Sequence, residues 1–120
     1  MKEKSFLSMK EVMIATNLSR DTLRYYEAED LIGPIRRLEN GYRAYTLEDV
    51  NWLYVIDLMR GFEVPIRELK GKQHTTYQER KIFLQAYQAK IEQKIQHYQN
   101  IQRKLNEKVN FLDEIIQAEQ

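Results

Sequence analysis

The stretch "DTLRYYEAEDLIGPIRRLENGYRAY" (Asp21 to Tyr45) sets a short helical segment ending in two tyrosines directly before an arginine-rich hairpin. Guanidinium and phenol groups at these spacings can hold phosphate oxygens and reach base edges, which is the chemistry of nucleic-acid recognition. Catalysis is a poor alternative. The chain has no paired carboxylates, no nucleophile–base set and no phosphate loop, and its tyrosines lack an activating partner at readable spacing. It is therefore expected not to be an enzyme and to need no cofactor.

Side chains of this kind must be held by a scaffold, and the surrounding residues supply one. Ser8-Met9-Lys10-Glu11 is a capping box, in which hydroxyl and carboxylate reciprocally satisfy first-turn amides. It starts a helix with Val12 and Ala15 on its apolar face that ends by Asn17. Ser19 caps a second helix after the connection Thr16-Asn17-Leu18, with Asp21 near its positive end. Two short helices so tightly joined make a helix-turn-helix. On the second helix, Leu23 and Tyr26 share a side suited to the core. Arg20, Asp21, Arg24 and Tyr25 occupy the other, exposed side.

Gly33-Pro34 breaks the second helix. Ile35 to Leu38 and Tyr42 to Tyr45 read as short strands, with Asn40-Gly41 supplying the positive φ values of a tight turn. Arg36, Arg37, Tyr42, Arg43 and Tyr45 are expected to project from this hairpin. A helix-turn-helix with such a hairpin is a winged helix, one part suited to a major groove and the other to the adjacent backbone or minor groove.

Thr46-Leu47-Glu48-Asp49 is a second cap, opening a helix with a broad apolar band: Leu47, Val50, Leu53, Tyr54, Val55, Ile56 and Met59, ended by Gly61. Pro65 at a first helical position begins a short helix to Lys70, stopped by Gly71. Trp52 and Phe62 are assigned to packing. The expected divisions are a DNA-binding domain over 1–70, a linker over 71–76 and one long helix over 77–120.

That helix carries the clearest periodicity in the chain. Leu84, Ile91, Tyr98, Leu105 and Leu112 recur every seven residues. Tyr87, Ile95, Ile101, Val109 and Ile116 fill the three- and four-residue steps between them. The other faces are polar, and such a helix cannot bury its stripe against a domain of about seventy residues. Its own copy in a second chain is the economical partner, so a homodimer through these residues is expected.

Composition sets limits. The chain has 120 residues, a formal net charge of +1 and no cysteine. Disulfides, thiolate nucleophiles and cysteine metal sites are excluded, and DNA binding must use placed charges rather than a bulk field. His74 and His97 read as ordinary surface residues, so no metal site is expected. No run is long enough to span a bilayer and the N-terminus has no signal-peptide core, so a cytoplasmic, nucleoid-associated protein without a membrane partner is expected.

"MKEVMIATNLSRDTLRYYEAEDLIGPIRRLENGYRAYTLEDVNWL", followed by "RGFEVPIREL", closely resembles the N-terminal domain of MerR-type transcription regulators, with "TLRYYE" and "ENGYRAY" the most specific elements. The resemblance covers residues 6 to about 70, and the long helix is similar to the family's dimerisation helix. It implies a mainly α protein in which a winged helix-turn-helix precedes an antiparallel coiled coil. It also implies a homodimer on a near-palindromic double-stranded DNA operator in a promoter spacer. Such proteins bend and untwist the spacer, so that RNA polymerase is engaged indirectly, through the promoter. Carried onto this chain, Ser19, Arg20, Thr22, Arg24 and Tyr25 match the recognition-helix region, and Asn40, Gly41, Tyr42 and Arg43 match the wing, with Arg36 and Arg37 on its leading strand. Tyr25, Tyr42 and Arg43 are expected as phosphate or groove anchors, Arg20 and Thr22 as base readers.

Three departures from the family pattern stand out. Asp30 replaces a usual glycine, Val64 replaces a Ser-like cap, and the cysteines used by metal- and redox-sensing members are missing. The chain is expected to be a short, cysteine-free member without a C-terminal effector domain, and no effector ligand is identified. The competing reading is a coiled-coil interaction module that recruits another protein, with DNA binding secondary; the wing arginines would then be surplus.

Overall fold

The computed structural model describes residues 6–120; the first five residues of the expected 1–70 domain lie outside the described residues. The chain forms two units, the first ending at Thr76 and the second running Tyr77–Gln120. In the first, helices α1 (Met9–Thr16) and α2 (Arg20–Ala28) precede strands β1 (Arg36–Arg37) and β2 (Arg43–Ala44). Helix α3 (Leu47–Gly61), a short α4 (Ile66–Leu69) and a 3-10 turn (Lys72–His74) complete it. The second unit is α5 (Tyr77–Ala118).

The helix starts follow from local chemistry. At α1, Ser8 Oγ accepts from the Glu11 amide and Glu11 Oε1 accepts from the Ser8 amide. The Ser8 amide first, and then the Ser8 hydroxyl, lower the pKa of the Glu11 carboxyl from its ordinary value by favouring its charged form. Thr46 and Asp49 repeat the reciprocal cap at α3, and Ser19 caps α2. Helix α1 stops where Asn17 turns left-handed (φ 59°), so the connection to α2 is Asn17-Leu18-Ser19, one residue later than expected. Pro65 is likewise the cap of α4 rather than its first residue, and Lys70 lies beyond its end.

Val12, Leu23, Tyr26, Ile32, Leu53, Ile56 and Leu69 form the buried core together with Trp52, whose indole N–H donates to the Leu31 carbonyl at 2.9 Å. Phe62 is half-buried. The apolar band of α3 is narrower than expected. Val50, Leu53, Ile56 and Met59 face inward, but Leu47 and Tyr54 are exposed, because a helix packed on one side buries only an arc of its surface. Ala15 is also exposed rather than core-facing; its carbonyl accepts the Tyr54 hydroxyl at 2.9 Å, which straps α3 to the end of α1.

Between α2 and β1 the chain turns through Asp30 (φ 58°) and Gly33 (φ 94°), with the Gly33–Pro34 peptide cis. A Cβ at Gly33 would lie 2.7 Å from the Ile35 amide nitrogen, so only glycine fits. Asp30 takes the left-handed geometry that its side chain tolerates. Residues 71–76, expected as a linker, are tied to this loop. The Gly71 amide donates to the Asp30 carbonyl at 3.1 Å, and His74 Nε2 donates to the Gly33 carbonyl. Gln73 is buried: its Oε1 accepts from the Gly33 amide and its Nε2 donates to Asp49 Oδ1, both at 2.8 Å.

Strands β1 and β2 pair antiparallel, Arg36 opposite Ala44 and Arg37 opposite Arg43. The expected turn with positive φ at both Asn40 and Gly41 is not formed; only Gly41 is left-handed (φ 85°). The Gly41 amide donates to the Leu38 carbonyl and the Leu38 amide to the Tyr42 carbonyl, which makes a three-residue loop, Glu39 to Gly41. Asn40 Oδ1 accepts from the Tyr42 amide and braces that loop.

Tyr45, expected to project from the wing, is fully buried instead. Its backbone pairs in both directions with Leu7, a pairing that sets the pleat and turns the side chain inward. The Tyr45 hydroxyl finds no hydrogen-bond partner among the described residues, and burial pushes its pKa up. A buried orphan hydroxyl costs free energy. Tyr45→Phe is therefore expected to stabilise the protein by about 1 kcal/mol, read as a higher midpoint in denaturant unfolding; a lower midpoint would show that the hydroxyl is satisfied.

Helix α5 has 42 residues and a length of ~63 Å. Its polar faces carry local pairs such as Arg103 to Glu107 at 3.2 Å. Near its start Phe83 and Tyr87 meet edge-to-face at 5.3 Å, with Lys90 over the Tyr87 ring. From Ile91 to Ile116 the apolar stripe lies open, Tyr98 at 63% and Leu105 at 60% exposure. Among the described residues no helix is long and apolar enough to cross a membrane.

Candidate nucleic-acid interface

Helix α2 separates its two tyrosines as its periodicity requires. Tyr26 is buried, its phenol pushed up in pKa by that burial against the opposing influence of Arg60. Tyr25 is 46% exposed, its ring 6.3 Å from that of Tyr26. Arg20, Asp21 and Arg24 are exposed beside it, and Thr22 is half-buried. Ser19 Oγ accepts from the Thr22 amide at 3.0 Å and donates to Thr22 Oγ1 at 2.9 Å. Ser19 thus shapes the helix start and orients the threonine, while the arginines on the following turns remain free to reach outward.

The strand pleat divides the wing arginines, which the sequence alone grouped together. Arg37 and Arg43, directly opposite one another, share one face; Arg36 points to the other, its guanidinium 5.0 Å from the centre of the Phe6 ring. Tyr42, beside the loop, is 72% exposed. Gly41 provides the turn and Asn40 the brace, so both act on the shape of the wing.

One residue joins the two halves of the surface, and no sequence feature singled it out. Glu27, in the last turns of α2, accepts from Arg43 Nε at 2.6 Å and from an η nitrogen of Arg37 at 3.5 Å. Arg20, Arg24 and Glu27 are spaced four and three apart and lie on one face of α2. Arg37 and Arg43 are therefore anchored on the same helix face that carries the exposed arginines. The sequence carried no signal for Glu27, because the two-residue turn it suggests would pair Arg37 with Ala44; only the observed register sets Arg37 opposite Arg43, where the two repel unless an anion lies between them.

The assembled surface has exposed guanidinium and phenol groups at a helix start, and a basic hairpin tied to that helix. It can grip phosphates on either side of a groove while offering side chains to base edges. Comparison with known proteins identifies the family. The family profile described as MerR family regulatory protein matches residues 8–45. The HTH-type transcriptional regulator ZntR of Escherichia coli (strain K12) is 34% identical over 102 residues, covering 79% of this chain and 72% of that protein. AdhR, an HTH-type transcriptional regulator of Bacillus subtilis (strain 168), is 36% identical over 63 residues, which is 52% of this chain but only 45% of AdhR. In fold, the chain is similar to HiNmlR, a MerR family regulator lacking the sensor domain, in a crystal structure bound to promoter DNA. The TM-score is 0.69 at 20% identity, over 91% of each chain. Among the departures noted above, Asp30 adopts a left-handed geometry, and Val64 is buried ahead of a four-residue α4. With a relative this similar over most of its length and the profile centred on the helix-turn-helix and wing, the chain belongs to the MerR family of DNA-binding transcription regulators.

Proposed function

We propose that the protein acts as a homodimer on a near-palindromic operator in a promoter, and that it bends and untwists the promoter spacer. The observation that carries the DNA contact is the ion pairing of the wing's Arg37 and Arg43 with Glu27, on the face of α2 that also carries the exposed Arg20 and Arg24. In this reading α2 enters a major groove. Arg20, Thr22 and Arg24 reach base edges there, and Ser19 shapes the helix start. Tyr25, Tyr42, Arg36, Arg37 and Arg43 hold the backbone, while Asn40 and Gly41 set the wing's shape. The α5 stripe, open from Ile91 to Ile116 though Leu84 is half-buried and Tyr87 buried within the single chain, supports pairing with a second copy in an antiparallel coiled coil, since so long an exposed apolar face marks an interaction surface. RNA polymerase is then affected through the DNA, and the protein works in the cytoplasm at the nucleoid.

Footprinting of the purified protein on its promoter region tests this reading. A protected near-palindrome between promoter elements is the expected result. Arg43→Ala is expected to weaken binding and to reduce the slope of log affinity against log salt by about one per protomer, because each lost phosphate contact releases one counterion fewer. Absence of protection at low salt would overturn the reading and leave α5 as the working surface.

A further inference from the structure

The register places Arg37 and Arg43 directly across from one another on one face of the wing. Like charges so placed destabilise a two-stranded ribbon that is itself marginal. Glu27 answers with one oxygen for each: Oε1 takes Arg43 at 2.6 Å and Oε2 takes Arg37 at 3.5 Å. The two grips are unequal. Arg43 is 19% exposed and held through Nε, while Arg37 is 46% exposed and held at the limit of a hydrogen bond. A guanidinium carries five N–H donors. The Nε contact uses one of them on Arg43 and, among the described residues, leaves the two η nitrogens uncommitted.

We propose that Glu27 is the positioning residue of the DNA-binding surface. It fixes Arg43 against α2 so that the free η nitrogens are set for a phosphate, and it holds Arg37 loosely enough for DNA to exchange that contact for a phosphate. One negative charge between two positive ones leaves the base of the wing positive, so the carboxylate orders the arginines without cancelling their field. It also makes wing and recognition helix one rigid reader: a phosphate taken by Arg43 fixes the register of α2 in its groove. Glu27 thereby favours the operator over unrelated DNA while touching neither. This inference rests on the wing reading above.

The test uses the full chain and a thermodynamic cycle of Glu27→Gln and Arg43→Ala, with affinities for the operator and for an unrelated duplex measured at one salt concentration. Glu27→Gln is expected to lose about ten-fold in operator affinity while binding the unrelated duplex as well as or better than wild type, since a repelling charge has gone. In the Arg43→Ala background the same substitution is expected to cost less than about two-fold, because residues that act as a unit are not additive. Glu27→Asp keeps the charge with a shorter reach and should fall between wild type and Gln; it carries the comparison if the Gln variant melts early. Equal tightening on both DNAs would make Glu27 a mere repellent and overturn the proposal, as would an undiminished ten-fold loss in the Arg43→Ala background. Wild-type binding by Arg43→Ala alone would sink the wing reading, and this inference with it.

Discussion

Gln73→Leu is expected to be among the most destabilising single substitutions in the protein, lowering stability by on the order of 2–5 kcal/mol. Gln73 sits in the 3-10 turn before α5 and bridges two groups far away in sequence, the Gly33 amide and the Asp49 carboxylate. Leucine fills the volume but restores neither hydrogen bond. The Gly33 N–H and Asp49 Oδ1 would then be left unpaired in a buried place, and each such group costs its desolvation rather than the modest net worth of a hydrogen bond. Asp49 keeps its bond from the Thr46 amide, so the α3 cap survives in part. Against a total stability of roughly 5–15 kcal/mol, the loss is large. Thermal unfolding should show a melting temperature lower by on the order of 10 °C or more. A melting temperature equal to that of wild type would mean the two orphaned groups find other partners.

The second large effect is on DNA affinity. Ile101→Glu places a charge in the middle of the α5 stripe, where Ile101 is 38% exposed in the single chain and its neighbours Tyr98 and Leu105 are more so. If the stripe is the dimer seam, a carboxylate there meets apolar surface with no partner, and the pair separates. A monomer then engages one half-site without the effective concentration that tethering confers. Operator affinity should fall by about 10²–10⁴, with sedimentation velocity reporting half the mass. The environment of Trp52, buried in the first unit, is the control for folding and should be unchanged in near-UV circular dichroism. A variant that stays dimeric and binds as wild type would remove the α5 stripe from the interface. A variant that becomes monomeric yet keeps its affinity would remove the need for a dimer.

The features readable from the sequence were those governed by residues within one turn or one period of each other. The caps at Ser8, Ser19 and Thr46 formed where expected because donor and acceptor are three residues apart and no tertiary contact is needed to bring them together. The inward Leu23 and Tyr26 and the outward Arg24 and Tyr25 followed from helical geometry alone. The extent of α5 followed from an unbroken period without Gly or Pro.

What folding added depends on partners that no local pattern names. The pleat of the wing is set by Tyr45 pairing with Leu7 across 38 residues, and that register sends Tyr45 into the core and Arg36 and Arg37 to opposite faces. The loop spans three residues rather than two because the same register brings Leu38 opposite Tyr42. Glu27 meets Arg43 sixteen residues away, and Gln73 meets Asp49 twenty-four residues away, each pair selected by where the backbone has already carried it. A periodic pattern tells which side of a helix or strand turns away from water. Which polar group waits on the other side is decided only when the elements pack, because a buried hydrogen bond is required by its neighbours in space and not by its neighbours in sequence.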